Sequence, residues 1–167
     1  MPNHCDNRVE IHCKTVEQAQ EIQKFLASDK NCFDFNNIVP APNWQKTPLT
    51  GKEKSWLGAD ESRGEVGELP IKDDSFPEEI GEFWKFASTG KNDDRWYHWN
   101  VVNWGTKWNS YYCEDHSDDC NLVYTFSTAW SPPEPVIEAL RKIYTEDMGV
   151  SITAWFDEPA MGFGGYY

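Results

Sequence analysis

Residues 8–28 read RVEIHCKTVEQAQEIQKFLAS, and two periods within them decide the fold. From Arg8 to Lys14, the residues Val9, Ile11 and Cys13 alternate with Arg8, Glu10 and His12. That is the period of a strand with one buried face. Thr15-Val16-Glu17-Gln18 then has the form of a capping box, with Thr15 as N-cap and Gln18 at the third helical position. Val16, Ala19, Ile22 and Leu26 supply an apolar helical stripe to about Ser28.

The same logic recurs after Lys107. Lys107 to Glu114 reads as a strand with Trp108, Ser110 and Tyr112 on one face, and Asn121 to Thr128 as another carrying Leu122, Tyr124 and Phe126. A second capping box follows, with Ser131 as N-cap, Pro132 at the first helical position and Glu134 at the third. Val136, Ile137, Leu140 and Ile143 form its buried stripe, and Met148-Gly149 ends it. Val150, Ile152, Ala154 and Phe156 alternate along a last strand, where Trp155 also falls at a packing position. Residues 43–95 lack strand alternation and are rich in Gly, Pro and charge; a helix from Pro77 to about Ala87 and a loop tip at 58–75 are expected there. The order β-α-insertion-β-β-α-β predicts an α+β, ferredoxin-like split βαβ antiparallel sheet with its helices on one face. Residues 1–167 are expected to be one such domain, with 43–95 inserted between the first helix and the second strand.

Composition sets the function classes. The chain has 167 residues, 28 acidic against 15 basic, a formal charge of −13 and nine tryptophans. Acidic disordered segments are poor in aromatic rings, so a folded chain is expected. Phosphate affinity comes from clustered Lys and Arg, so direct nucleic-acid binding is not expected, nor is an anionic membrane surface. No apolar run approaches the roughly 20 residues of a membrane span. Met1 to Asn7 has no signal-peptide pattern, and the five cysteines are read as reduced thiols, which together predict a cytoplasmic protein. Within 96–140 the sole base is Lys107, between Trp104 and Trp108.

Five motifs occur in order: Pro2-Asn3-His4-Cys5-Asp6-Asn7, Phe35-Asn36-Asn37-Ile38-Val39-Pro40, Asn103-Trp104-Gly105-Thr106-Lys107-Trp108, Ala129-Trp130-Ser131-Pro132-Pro133 and Glu158-Pro159-Ala160-Met161-Gly162-Phe163. In these the chain resembles the YubB-type ferredoxin-like family of uncharacterised proteins carried by conjugative plasmids and phages. The resemblance implies the same core and a mobile-element origin, and no established activity. In a split βαβ sheet the first, third, fourth and fifth of these motifs fall at one end. Loops held by a rigid sheet commonly carry function. Asn3, Cys5, Asn7, Trp104, Gly105, Lys107, Trp108, Trp130 and Met161 are therefore the candidate ligand-binding residues.

Plainer readings compete at each position. Trp104 and Trp108 also suit a core, with Gly105 supplying a turn of positive φ. Ser131 reads as a helix start, not a nucleophile. Glu158 to Gly165 is expected to be a flexible loop, or a lid over the rim. Cys5 would act as a nucleophile only with a base such as His4, His98 or His116 in reach and a lowered pKa; a buried structural thiol is favoured. Cys113, His116 and Cys120 have zinc-like spacing, but an exposed acidic hairpin is favoured there. No catalytic residue, metal or cofactor is expected.

Three functions follow in order of preference. The first is a non-enzymatic binding module with a Trp/Lys-lined site at one sheet end, its partner a small ligand or a host protein. The second is an acidic mimic of nucleic acid that inhibits a host restriction or defence protein. The third is a thiol-dependent enzyme using Cys5.

Overall fold

The computed structural model describes residues 3–43 and 95–167. The chain divides into two compact units, residues 1–40 with 99–167 and residues 41–98. The expected helix at 77–87 and loop tip at 58–75 lie outside the described residues.

The first unit is a five-stranded antiparallel sheet in the order β2-β3-β1-β4-β5. Its elements are β1 (His4–His12), α1 (Val16–Leu26), α2 (Phe35–Ile38), β2 (Tyr111–Asp115), β3 (Asn121–Ala129), α4 (Glu134–Ile143), a 3-10 turn (Glu146–Met148), β4 (Ser151–Glu158) and β5 (Phe163–Tyr166). Helix α3 (Arg95–Asn103) runs into it. This is the α+β ferredoxin-like arrangement. Strand β1 is central: Val9 lies opposite both Tyr124 of β3 and Ala154 of β4. Strict alternation buries Cys5, Asn7, Val9 and Ile11 and leaves Asp6 and Arg8 on the other face.

Helix α1 starts as its sequence dictates, with the Thr15 hydroxyl accepting from Gln18 N at 3.2 Å. The returning bond of the box, however, runs from Lys14 N to Gln18 Oε1. Ala19, Ile22 and Leu26 are buried, whereas Val16 and Ile143, expected in the apolar stripes, are exposed at the first and last positions of their helices. Helix α4 buries Val136, Ile137 and Leu140, and both helices pack on the sheet.

Four further expectations are corrected. Ser131 is not the N-cap of α4: Pro133 holds that position, and the Ser131 hydroxyl donates to Gly105 O at 2.6 Å. Strand β2 begins at Tyr111 and not Lys107: Lys107 O accepts from Asn100 Nδ2 and Ser110 N donates to Asn109 Oδ1, so the stretch before Tyr111 is bonded away from β3. The Tyr111 hydroxyl donates to Thr128 O and the Thr106 hydroxyl to Ala129 O. Residues 158–165 are not a loose loop: after a turn, β5 pairs with β4 from Glu158↔Phe163 to Trp155↔Tyr166. Trp155 lies on the face away from the helices, against Tyr166 and under the Arg8 guanidinium.

The cysteines differ from expectation too. Cys32 and Cys113 form a disulfide, with Cα atoms 6.0 Å apart, while Cys5, Cys13 and Cys120 are free. Cys32 follows α1 and Cys113 sits at a bulge in β2, so the turn and the bulge bring the two together. Cys113 is thereby removed from any zinc set, and no cluster of three potential ligands occurs among the described residues. The bridge spans 81 residues, so closing it restricts the unfolded chain substantially. Reduction is expected to cost on the order of 2–4 kcal/mol. In urea melts, dithiothreitol should destabilise the wild type by that amount and leave a Cys113→Ser variant unmoved.

Candidate functional site

The register brings the start of β1 to the ends of β3 and β4. His4 lies opposite Ala129, and Asp6 opposite Asp157. Tyr111, the first residue of β2, lies opposite Ser127. Residues 3–7, 105–111, 128–131 and 158–163 therefore meet at one end of the sheet.

A hydrogen-bond network ties these segments together from below. Asn7 donates from Nδ2 to Cys5 O and to Thr128 Oγ1, each at 2.9 Å, and its Oδ1 accepts from the Tyr167 hydroxyl at 3.0 Å. Burial of a polar amide costs free energy unless it is paired, and Asn7 is fully engaged. Thr128 Oγ1 in turn donates to Ser131 O at 2.8 Å. The Tyr111 hydroxyl donates to Thr128 O at 3.0 Å, which leaves His4 Nδ1 to donate to the tyrosine oxygen at 2.8 Å.

These bonds converge on Trp130. The carbonyls of Thr128, Ala129 and Ser131 are each held by a side-chain hydroxyl, and Trp130 N donates to Asn3 O at 3.0 Å. Trp130 itself has φ +77° and is 54% exposed. A bulky side chain in the left-handed region is a conformational outlier, costing on the order of 1–3 kcal/mol, which the surroundings must offset. The network pins the backbone on both sides of the ring and leaves the indole in solvent.

The candidate residues separate by depth. Trp108 and Met161 are exposed, and the Lys107 ammonium lies 4.8 Å from the centre of the Trp108 ring. Asn3 contributes its carbonyl to the Trp130 turn. Trp104 belongs to the core: it is 4% exposed, donates from Nε1 to Val39 O at 2.9 Å, and meets Phe35 and Trp99 edge-on. Gly105 is a close-packing position at φ +78°, where a Cβ would fall 2.7 Å from Pro135 Cδ and 3.0 Å from Pro132 O. Cys5 and Asn7 lie beneath the rim and have no surface of their own to offer.

Cys5 has the opposite of a nucleophile's environment. Burial, with the nearby carboxylates of Glu158, Asp6 and Asp157, pushes its thiol up to about 11, against the favourable pull of the Thr128 hydroxyl. Catalytic thiols have lowered values instead. Thr106, Tyr111, Thr128 and Tyr167 are structural partners absent from the candidates read in the sequence. Their roles depend on hydroxyl directions that no spacing encodes.

Comparison with known proteins adds a likeness at this point. Residues 107–167 match the family model described as the ferredoxin-like domain in Api92-like protein. The matched stretch holds β2 to β5 with α4, and so most of the Trp130 turn. The chain is also similar to the crystal structure of a protein api92 from Yersinia pseudotuberculosis, with a TM-score of 0.53, 12% identity, and coverage of 99% of this chain and 93% of that one. At that identity the Api92 likeness is one of fold. No curated protein matches the chain.

Two outcomes test this description. Gly105→Ala is expected to destabilise the fold by about 2 kcal/mol or more in urea melts, since it combines a positive φ with a backbone clash. A thiol held near 11 is also almost wholly protonated at pH 8, with roughly a hundredfold less thiolate than one at its ordinary value. Alkylation by iodoacetamide at pH 8, followed by mass spectrometry, should therefore modify Cys5 last of the three free cysteines. Cys5 should gain reactivity only as pH rises toward 11.

Proposed function

We propose that this chain is a non-enzymatic binding module of a mobile genetic element, and that it presents Trp130 at one end of a ferredoxin-like sheet to a host protein. The supporting observation is the Trp130 backbone: a large apolar ring held in a costly conformation, exposed, on a loop whose flanking carbonyls are all tied down. Strain of this kind concentrates where a structure serves function, and exposed tryptophans are typical anchors of protein interfaces. Trp108, with the Lys107 ammonium over its ring, and Met161 extend the same end of the sheet, supplying apolar area and a cation. The mobile-element origin rests on the resemblance of the ordered motifs to the YubB-type family. The buried, proton-retaining Cys5 speaks against the thiol-dependent alternative.

The test separates binding from folding. Trp130→Gly relieves the left-handed strain, so it should raise stability by about 1 kcal/mol in urea melts while abolishing capture of the partner from host lysate. Lys107→Ala should weaken capture while costing the fold no more than about 1 kcal/mol, the worth of an exposed cation–π contact. A Trp130→Gly variant that captures the same partner as wild type would overturn the proposal, as would one that is markedly less stable.

A further inference from the structure

Two free thiols meet at the sheet end away from Trp130. The β1–β3 ladder stops at His12↔Asn121, and chain order puts Cys13 and Cys120 at the next position. There Cys13 N donates to Cys120 O at 2.8 Å. Standard backbone dimensions across such a bond keep the two Cα atoms within about 6.7 Å of each other. Bridged cysteines have Cα separations of about 4.4–6.8 Å. The backbone therefore already holds this pair within bridging reach.

Neighbouring bonds fix both residues. Asp118 and Asn121 exchange both backbone bonds, at 2.8 and 2.7 Å, across the two-residue turn Asp119-Cys120, with Asp119 at φ +41°. His12 Nδ1 donates to Asn121 Oδ1 at 2.6 Å and fastens the same corner. On the other side Thr15 caps α1 two residues after Cys13. The sulfurs also sense each other: the Cys13 thiol is raised above its ordinary value, by burial first and by Cys120 second. Both cysteines are half-buried, so a small reagent reaches them, whereas Cys5 is fully buried at the far end of β1. The Cys32–Cys113 bridge uses neither.

We propose that Cys13 and Cys120 are a dithiol modification site, which a small-molecule disulfide closes into a second bridge that staples β1 to the β2–β3 hairpin. One thiolate attacks the small disulfide RS–SR, forming a mixed disulfide and releasing RS⁻. The other attacks the protein sulfur of that mixed disulfide, forming the Cys13–Cys120 bond and releasing the second RS⁻. The protein gives up two electrons and two protons, and RS–SR leaves as two RSH. The second attack joins groups that the backbone holds together, so it outpaces accumulation of the adduct. A half-exposed bridge of this kind is open to reduction by small thiols, so closure is reversible. The site is separate from the Trp130 rim and does not depend on the reading of it.

The test treats the full chain, with Cys32–Cys113 intact, with cystamine, a cationic disulfide suited to a turn that carries Asp118 and Asp119 beside Cys120. After an acid quench, remaining thiols are capped with N-ethylmaleimide and the peptides are mapped by mass spectrometry without reduction. Wild type should lose two of its three free thiols together and yield the Cys13–Cys120 cross-linked peptide within one chain. Neither cysteine should retain cysteamine, and Cys5 should remain a thiol. Cys13→Ser should instead hold a cysteamine adduct at Cys120, and Cys120→Ser one at Cys13. In urea melts the bridged wild type should be shifted at least about tenfold toward the native state relative to its dithiol form, because the bridge restricts the unfolded chain. Separate cysteamine adducts on both cysteines of the wild type would overturn the proposal. So would thiols that stay free, a bridge that involves Cys5 or a second chain, or a bridged form no more stable than the dithiol.

Discussion

Everything in the described fold depends on β1 being hydrogen-bonded on both sides. A strand with neighbours on either edge has no freedom of register, because a one-residue slip would exchange its two faces. In β1 that exchange would place Val9 and Ile11 in solvent and Arg8 and Glu10 against α1 and α4. The apolar burial that this would forfeit amounts to roughly 1.5–3 kcal/mol per large side chain, before any charge is desolvated. The alternation of one nine-residue strand therefore locks the positions of β3 and β4, and through them of β2 and β5.

The rim is a consequence of that lock. Asn7 occupies a core position of the β1 alternation, yet it carries an amide with partners in three segments. Because Asn7 cannot slip, Thr128 is held, and Thr128 holds Ser131 O. The left-handed Trp130 lies inside that closed set of bonds. A strained residue survives only where its neighbours over-determine the backbone. Here they do so through hydroxyls from Tyr111, Thr106 and Thr128, arriving from β2, the loop before it and β3 itself.

The sequence showed what periodicity can show and missed what depends on directional side-chain bonds. Alternation from Arg8 and the Thr15 cap were enough to place β1 and α1, and the strand–strand–helix–strand order placed the rest of the sheet. Four motifs met at one rim as topology requires. The start of β2 is not legible in the sequence, because Trp108, Ser110 and Tyr112 do alternate; the side-chain bonds that hold Lys107 O and Ser110 N away from β3 are not a periodic property. Strand β5 was missed because Phe163-Gly164-Gly165-Tyr166 has little strand propensity. Gly164 is required instead by close approach, its absent Cβ falling 2.6 Å from Phe156 O. The Cys32–Cys113 bridge was missed because the two cysteines lie 81 residues apart, with no spacing rule to join them. Among the candidate site residues, Trp104 and Trp108 looked alike in sequence. Only the position of each ring relative to Phe35 and Lys107 tells the buried one from the exposed one.

The acidity and the aromatic content of the chain acquire separate meanings once parity is known. On the helix-facing side of the sheet, aromatic rings meet one another: Phe33 stacks on Phe126 and meets Tyr124 edge-on. On the far side, carboxylates alternate with the rings, and Trp155 takes a guanidinium where Phe126 takes a phenyl group.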